Sequence, residues 1–252
     1  MNSANTVVGW FWVKRGFILF SRQPVEMLTL FLAYMFLNVC LGFIPFIGQL
    51  LPVLLIPVFA MGFMQACRQI DDGVRVYPNV LLAGFRSESF MRLLGLGSLY
   101  LLAIMFSILI SQVFDGGDLY TLLTSSQPVD AKKIEDSRLA YGVLGVLISF
   151  LPALMAFWFA GPLIMWRKMS IVKAMFFSFV SVKRAWKAFF FYGFAWLLIG
   201  GFLPVLILQI LASVVDEETA LVLLMMPVLA LLTTVRYCSF YPTYLDTFGK
   251  PE

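Results

Sequence analysis

The stretch MLTLFLAYMFLNVCLGFIPFIGQLLPVLLIPVFAMGFMQAC, Met27 to Cys67, contains no charged residue over 41 positions. About 20 apolar residues suffice for a helix to cross a bilayer. The run is therefore long enough for two helices. Gly42, Pro45, Gly48 and Pro52 near its middle mark the turn between them. Two helices, about 26–46 and 50–68, joined by a very short outer loop, are the predicted reading.

Three further uncharged runs follow: Leu93–Phe114, Leu139–Trp166 and Ala188–Val215. A last one, Thr219–Val235, continues past Arg236 towards Leu245. Prolines inside such helices, as at Pro152 and Pro162, are tolerated because neighbouring helices satisfy the freed carbonyls. The expected fold is all-α: a polytopic membrane helix bundle of about six transmembrane helices. Composition agrees. Of 252 residues, 61% are hydrophobic and 13% charged, against about 45–50% and about 25% in soluble domains. A chain this size cannot bury that much apolar surface in water.

Charge sets the expected orientation. Lys14, Arg15 and Arg22 precede the first run. Arg68, Arg75, Arg86 and Arg92 separate the second and third. Arg167, Lys168, Lys173, Lys183, Arg184 and Lys187 separate the fourth and fifth, and Arg236 and Lys250 close the chain. Fifteen of the 18 basic residues thus fall on one side, which the positive-inside rule assigns to the cytoplasm. Both termini are expected there. The opposite side carries a polar loop, 115–138, with a net charge of −2, read as a connector. No cleavable leader is expected, since Lys14 and Arg15 come after Trp10 and Trp12.

One membrane domain, 1–252, is expected, with tandem repeats over 9–73, 78–168 and 170–248. Each copy is a cationic amphipathic segment, an ascending helix, an outer turn and a descending helix. Phe20-Ser21-Arg22, Phe85-Arg86-Ser87 and Phe179-Val180-Ser181 anchor the copies. Gly42-Phe43-Ile44-Pro45 and Gly201-Phe202-Leu203-Pro204 stand at equal offsets. Units of two spans share one orientation, unlike the inverted repeats of many transporters. The amphipathic segments are expected to lie at the cytoplasmic interface, with Lys14, Arg15, Arg22, Lys173, Lys183 and Arg184 near anionic lipid head groups. Gln49, Gln112 and Gln209 are a candidate polar cluster towards the outer face.

Residues for chemistry are scarce. There is no histidine, and Cys40, Cys67 and Cys238 lack metal-ligand spacing. The acids lie in loops, at helix ends or near the C-terminus, with Asp246 the expected partner of Arg236. No enzyme activity, metal or cofactor is expected, and no nucleic-acid partner. The leading expectation is a bundle that organises or assists other membrane components, or binds lipid, alone, as a homo-oligomer or with a membrane-protein partner. A small-molecule transporter or exporter subunit is the alternative.

The segments Gly9-Trp10 through Pro24, Pro45 to Gly73, Leu82-Ala83-Gly84-Phe85-Arg86 and Leu93-Leu94-Gly95-Leu96-Gly97 resemble an uncharacterised family of beta-proteobacterial inner-membrane proteins. The resemblance covers the first 110 residues by sequence and the rest by pattern. It implies a bacterial inner-membrane bundle and no assigned substrate. The chain is also distantly similar to the membrane domain attached to some glycerophosphodiester phosphodiesterases, without their catalytic barrel.

Overall fold

The computed structural model describes residues 6–45, 47–124, 137–212 and 225–251. Every regular element described is helical. In chain order they are α1 (Thr6–Arg22), α2 (Pro24–Gly42), α3 (Leu51–Leu54), α4 (Ile56–Asp71), a 3-10 segment (Pro78–Ala83), α5 (Phe90–Asp115), α6 (Asp118–Thr124), α7 (Ser137–Phe157), α8 (Ala160–Trp166), α9 (Ile171–Arg184), α10 (Trp186–Leu197), a π segment (Leu198–Phe202), α11 (Leu203–Ala212) and α12 (Met226–Phe248).

Four helical stretches among the described residues are long and apolar enough to cross a membrane: Pro24–Gly42, Phe90–Asp115, Leu139–Trp166 and Trp186–Ile210. The other two expected spans differ. The second breaks at Leu55 between α3 and α4, where Pro52 and Pro57 each sit in the first turn of a helix. That leaves α4 with 16 residues. The sixth is α12, which holds Arg236 and Asp246; the start of that expected span, 219–224, lies outside the described residues. The expected loop over 115–138 begins instead with helix α6, because Asp115 accepts hydrogen bonds from the Gly117 and Leu119 amides and starts a new turn. Residues 125–136 lie outside the described residues. Gly116 makes this junction: its φ of 66° is the left-handed conformation that ends α5.

Helix α5 pairs antiparallel with α7 and its continuation α8. Ser89 donates to the Ile164 carbonyl at 3.2 Å at one end. Tyr100 meets Phe150 and Phe157 edge-on in the middle, and Gly142 lies against Asp115 at the other end. The break between α7 and α8 is filled by the buried hydroxyl of Ser178 on α9, which donates to Met155 O at 2.8 Å and accepts from Phe159 N–H at 2.9 Å. Two backbone groups freed by the break are thereby satisfied.

The densest packing sits at one end of the bundle. It joins the first turns of α2 (Met27, Leu30, Phe31) and α5 (Leu93, Leu96) to the last turns of α4 (Phe63, Met64, Cys67, Ile70), α8 (Leu163, Ile164) and α12 (Tyr241, Tyr244). The side chains of Cys67 and Cys238, 171 residues apart in sequence, interact there. Away from this end the apolar side chains turn outward, as at Phe36, Val39, Phe106, Val113, Ile148 and Phe202. Only 17% to 22% of each candidate span is buried, so lipid rather than protein is the solvent of those surfaces.

The two Gly-Phe-x-Pro motifs that share an offset in the expected repeat have different structures. Gly42-Phe43-Ile44-Pro45 ends α2 and turns, whereas Gly201-Phe202-Leu203-Pro204 runs through the π segment into α11 without leaving the helix.

Candidate functional site

Helix α1 docks by a narrow stripe. Val8, Trp12, Val13 and Leu19 are buried. Gly9 lies on the backbone of Ala188 and Tyr192, and Gly16 on that of Ser239. The opposite face exposes Trp10, Phe11, Phe17 and Ile18 together with Lys14, Arg15 and Arg22. Helix α9 repeats the arrangement. Ala174, Ser178 and Val182 face inward, while Val172, Phe176, Phe177 and Val180 are exposed beside Lys173, Lys183 and Arg184. Ser178 is an inward hydrogen-bonding residue, and the cations share their face with phenylalanines. Aromatic rings interleaved with ammonium and guanidinium groups suit a surface that is half hydrocarbon and half charged head group.

The expected head-group residues divide in two. Arg15 pairs with Asp246 at 2.9 Å and Arg22 approaches Asp71 at 3.9 Å. Lys14, Lys173, Lys183 and Arg184 are exposed and make no ion pair among the described residues. Asp246 is thus not the partner of Arg236. Ten residues along a helix separate the two by about 15 Å and rotate them to different faces. Asp246 instead accepts from Arg15 and from the Trp12 indole, each at 2.9 Å. Gln49 is exposed in the turn after α2, Gln112 is half-buried on α5 and Gln209 is exposed on α11. No hydrogen bond joins the three among the described residues.

Further pairs tie the same end together: Arg75 to Glu26 at 3.1 Å, Lys168 to Glu88 at 3.0 Å and Lys250 to Asp72 at 2.7 Å. The Lys250 ammonium holds the Asp72 carboxyl below its ordinary range, and Asp72 raises Lys250 in turn. Asp72 therefore supports the tether above about pH 4, its unfolded pKa, and the support is lost as pH falls through the lowered value. Lys250 supports it below about pH 10.4, and that support is lost as pH rises through the raised value. A spin label at Pro251→Cys, with Cys40→Ser, is expected to stay immobile between those limits and to loosen beyond either. Adding Lys250→Ala should leave it mobile at every pH; an unchanged profile in that variant would sink the tether.

A lateral groove of about 820 Å³ opens between α7, α10 and α12. Trp158, Trp186, Phe190 and Trp196 supply most of its aromatic wall, and its one charged lining residue is Arg236. The Arg236 side chain is exposed into it and makes no ion pair or hydrogen bond with a described residue. Behind Arg236 the Ser239 hydroxyl donates to the Arg236 carbonyl at 2.7 Å. It accepts from the Tyr192 hydroxyl at 2.7 Å and the Trp196 indole at 3.2 Å. Sequence reading missed the groove, because its wall is built from four helices, α7, α9, α10 and α12, spread along the chain.

The chain is 35% identical over 249 residues to a protein of Burkholderia thailandensis described as probable inner membrane protein BTH_II0599, covering 97% of this chain and 92% of that protein. No family model matches the chain and no solved structure matches it. None of these comparisons carries the distant similarity to the phosphodiesterase membrane domain.

Proposed function

The chain belongs to the family of the Burkholderia protein, and we propose that it is a six-span inner-membrane bundle, with both termini in the cytoplasm, that binds anionic lipid. In this reading α3–α4 and α12 complete three tandem hairpins, and the ion-paired end of the bundle lies at the cytoplasmic interface. The protein performs no chemistry of its own. It gathers anionic lipid around itself and so organises its membrane neighbourhood.

The observation that carries this reading is the composition of the exposed faces of α1 and α9. Four cations with no ion pair among the described residues, Lys14, Lys173, Lys183 and Arg184, stand among exposed Trp and Phe side chains on helices docked at the end where the basic residues collect. Each basic residue near an anionic leaflet contributes about 1 kcal/mol. Four together amount to a strong enrichment of acidic lipid in the surrounding shell.

The test is the composition of lipid retained around the full chain after mild extraction from membranes. Phosphatidylglycerol and cardiolipin are expected to be enriched over the bulk membrane. The variant Lys14→Gln/Lys173→Gln/Lys183→Gln/Arg184→Gln is expected to fall to the bulk ratio, and an unchanged ratio would refute the reading. Reporter fusions after Asp72 and Lys173 are expected inside, and those after Ser126 and Glu218 outside.

A further inference from the structure

The groove between α7, α10 and α12 is a feature that surface lipid contacts do not require. We infer that it is a binding site for a single lipid molecule, an alkyl chain with an anionic head, its chain lying along the aromatic wall and its head on Arg236.

Shape comes first. The volume of about 820 Å³ lies within the range of about 300–1,000 Å³ typical of small-molecule sites. The wall is kept open by missing side chains. A Cβ added to Gly193 would meet nothing within 4 Å, and one on Gly200 would find only the Trp196 ring at 3.7 Å. Glycine is a poor helix former, and here it leaves space rather than close packing. The π segment Leu198–Phe202 falls in the same wall, and such local widenings recur at functional sites.

Charge then selects the occupant. In the six-span reading proposed above, a guanidinium facing an apolar groove needs a counter-ion, since an unpaired charge in hydrocarbon is expensive. The acid on its own helix, Asp246, is already engaged by Trp12 and Arg15. Snorkelling to the ion-paired end is opposed by geometry. Arg236 lies 12 residues before the end of α12, about 18 Å, and helical Cα–Cβ bonds lean towards the N-terminus, away from that end. A carboxylate or phosphate offers the bidentate pairing that guanidinium favours. An alkyl chain matches the Trp, Phe and Leu lining. A free fatty acid and an acidic phospholipid share this chemistry.

The site is distinct from the faces of α1 and α9, so the two readings fail separately. Trp158, Trp186 and Trp196 provide the signal, because bromine on a bound chain quenches nearby indole fluorescence. The full chain in a neutral detergent is titrated with dibromostearic acid, with dibrominated phosphatidylglycerol and with methyl dibromostearate, which has no charge. Saturable quenching at one molar equivalent is expected for an acidic probe. The tighter of the two acids identifies the source, and the ester is expected to bind at least about tenfold more weakly (~1.4 kcal/mol). Arg236→Gln should bring the acids to the level of the ester, and Arg236→Lys should restore part of the difference. Gly193→Leu should abolish quenching by all three without lowering the melting temperature, since its new side chain enters open space. The four-glutamine surface variant should titrate as the parent does. Equal binding of acid and ester, or unaltered titration of Arg236→Gln or Gly193→Leu, would overturn the assignment. So would quenching that disappears as the chain self-associates, which would make a second copy the occupant.

Discussion

Gly62→Leu is expected to unfold the protein, or to prevent its accumulation, although it replaces a poor helix former in the middle of α4 with a good one. A Cβ at Gly62 would lie 2.5 Å from the Leu81 carbonyl oxygen and 2.8 Å from its Cα. The contact is reciprocal, because a Cβ at Gly84 would strike the Val58 carbonyl. Both obstacles are main chain, which cannot rotate aside as a side chain does. Helix α4 and the 3-10 segment would have to separate. That loosens Leu81, Val58 and Phe63, all at most 1% exposed. Overpacking costs about 1–3 kcal/mol even where neighbours adjust, and exposing a core leucine adds about 1.5–3 kcal/mol. The gain in helix propensity is only about 1 kcal/mol, so the clash wins by several kcal/mol. Unfolding in mixed micelles with rising SDS measures the effect. Gly42→Leu is the control: nothing lies within 4 Å of its added Cβ, so it should change stability by no more than about 0.5 kcal/mol. Equal midpoints for the two variants would show that the close approach has been misread.

These glycines also show why the membrane class was legible in the sequence while the packing was not. Charge-free runs mark what lipid can dissolve, and three of them, Leu93–Phe114, Leu139–Trp166 and the described part of Ala188–Val215, fall on α5, α7–α8 and α10–α11. In water the buried face of a helix is also the apolar face. In lipid both faces are apolar, so hydropathy cannot separate Leu93, fully buried, from Leu102, 59% exposed. Small residues carry the missing information. Gly9 and Gly16 on α1, Ala174 and Ser178 on α9, and Gly62 on α4 each face a partner. Without coordinates they do not say which partner. The same ambiguity misdirected Asp246, whose expected partner was Arg236 on its own helix and whose actual partners lie more than 230 positions away.

The groove was hidden for a related reason. Its wall gathers residues from 151 to 236 on four helices, each unremarkable in its own segment. Arg236 alone drew notice, as the charge within an otherwise apolar run. Its surroundings depend on how α7 and α10 approach α12, and that approach follows from buried hydrogen bonds at Ser178 and Ser239. Single hydroxyls on otherwise apolar helices read as neutral substitutions in a sequence, yet in hydrocarbon they are the groups that must find partners.

Trp12→Ala is expected to cost about 3–5 kcal/mol, the range for deleting a buried aromatic side chain. The ring is fully buried, with centroids 5.1 Å from Phe189 and 5.9 Å from Tyr192. Its indole N–H donates to Asp246, whose side chain is only 14% exposed. Part of that energy is the hydrogen bond, and a double-mutant cycle isolates it. Trp12→Phe keeps most of the packing and removes the donor, and Asp246→Leu removes the acceptor. A bond to an ionised group contributes about 1.5–3 kcal/mol, so the coupling between the two changes should fall in that range; a value near zero would mean that α1 is held by packing alone. Trypsin reports the consequence. Lys14 and Arg15 lie on the exposed face of a docked helix, where backbone hydrogen bonds keep the chain from entering a protease. Losing the Trp12 anchor should speed cleavage there well before cutting appears at Lys183 or Arg184 on α9. The order matters, because α1 leans on α10 and α12 through Gly9 and Gly16 and its release need not disturb the α5–α7 pair at the other side of the bundle.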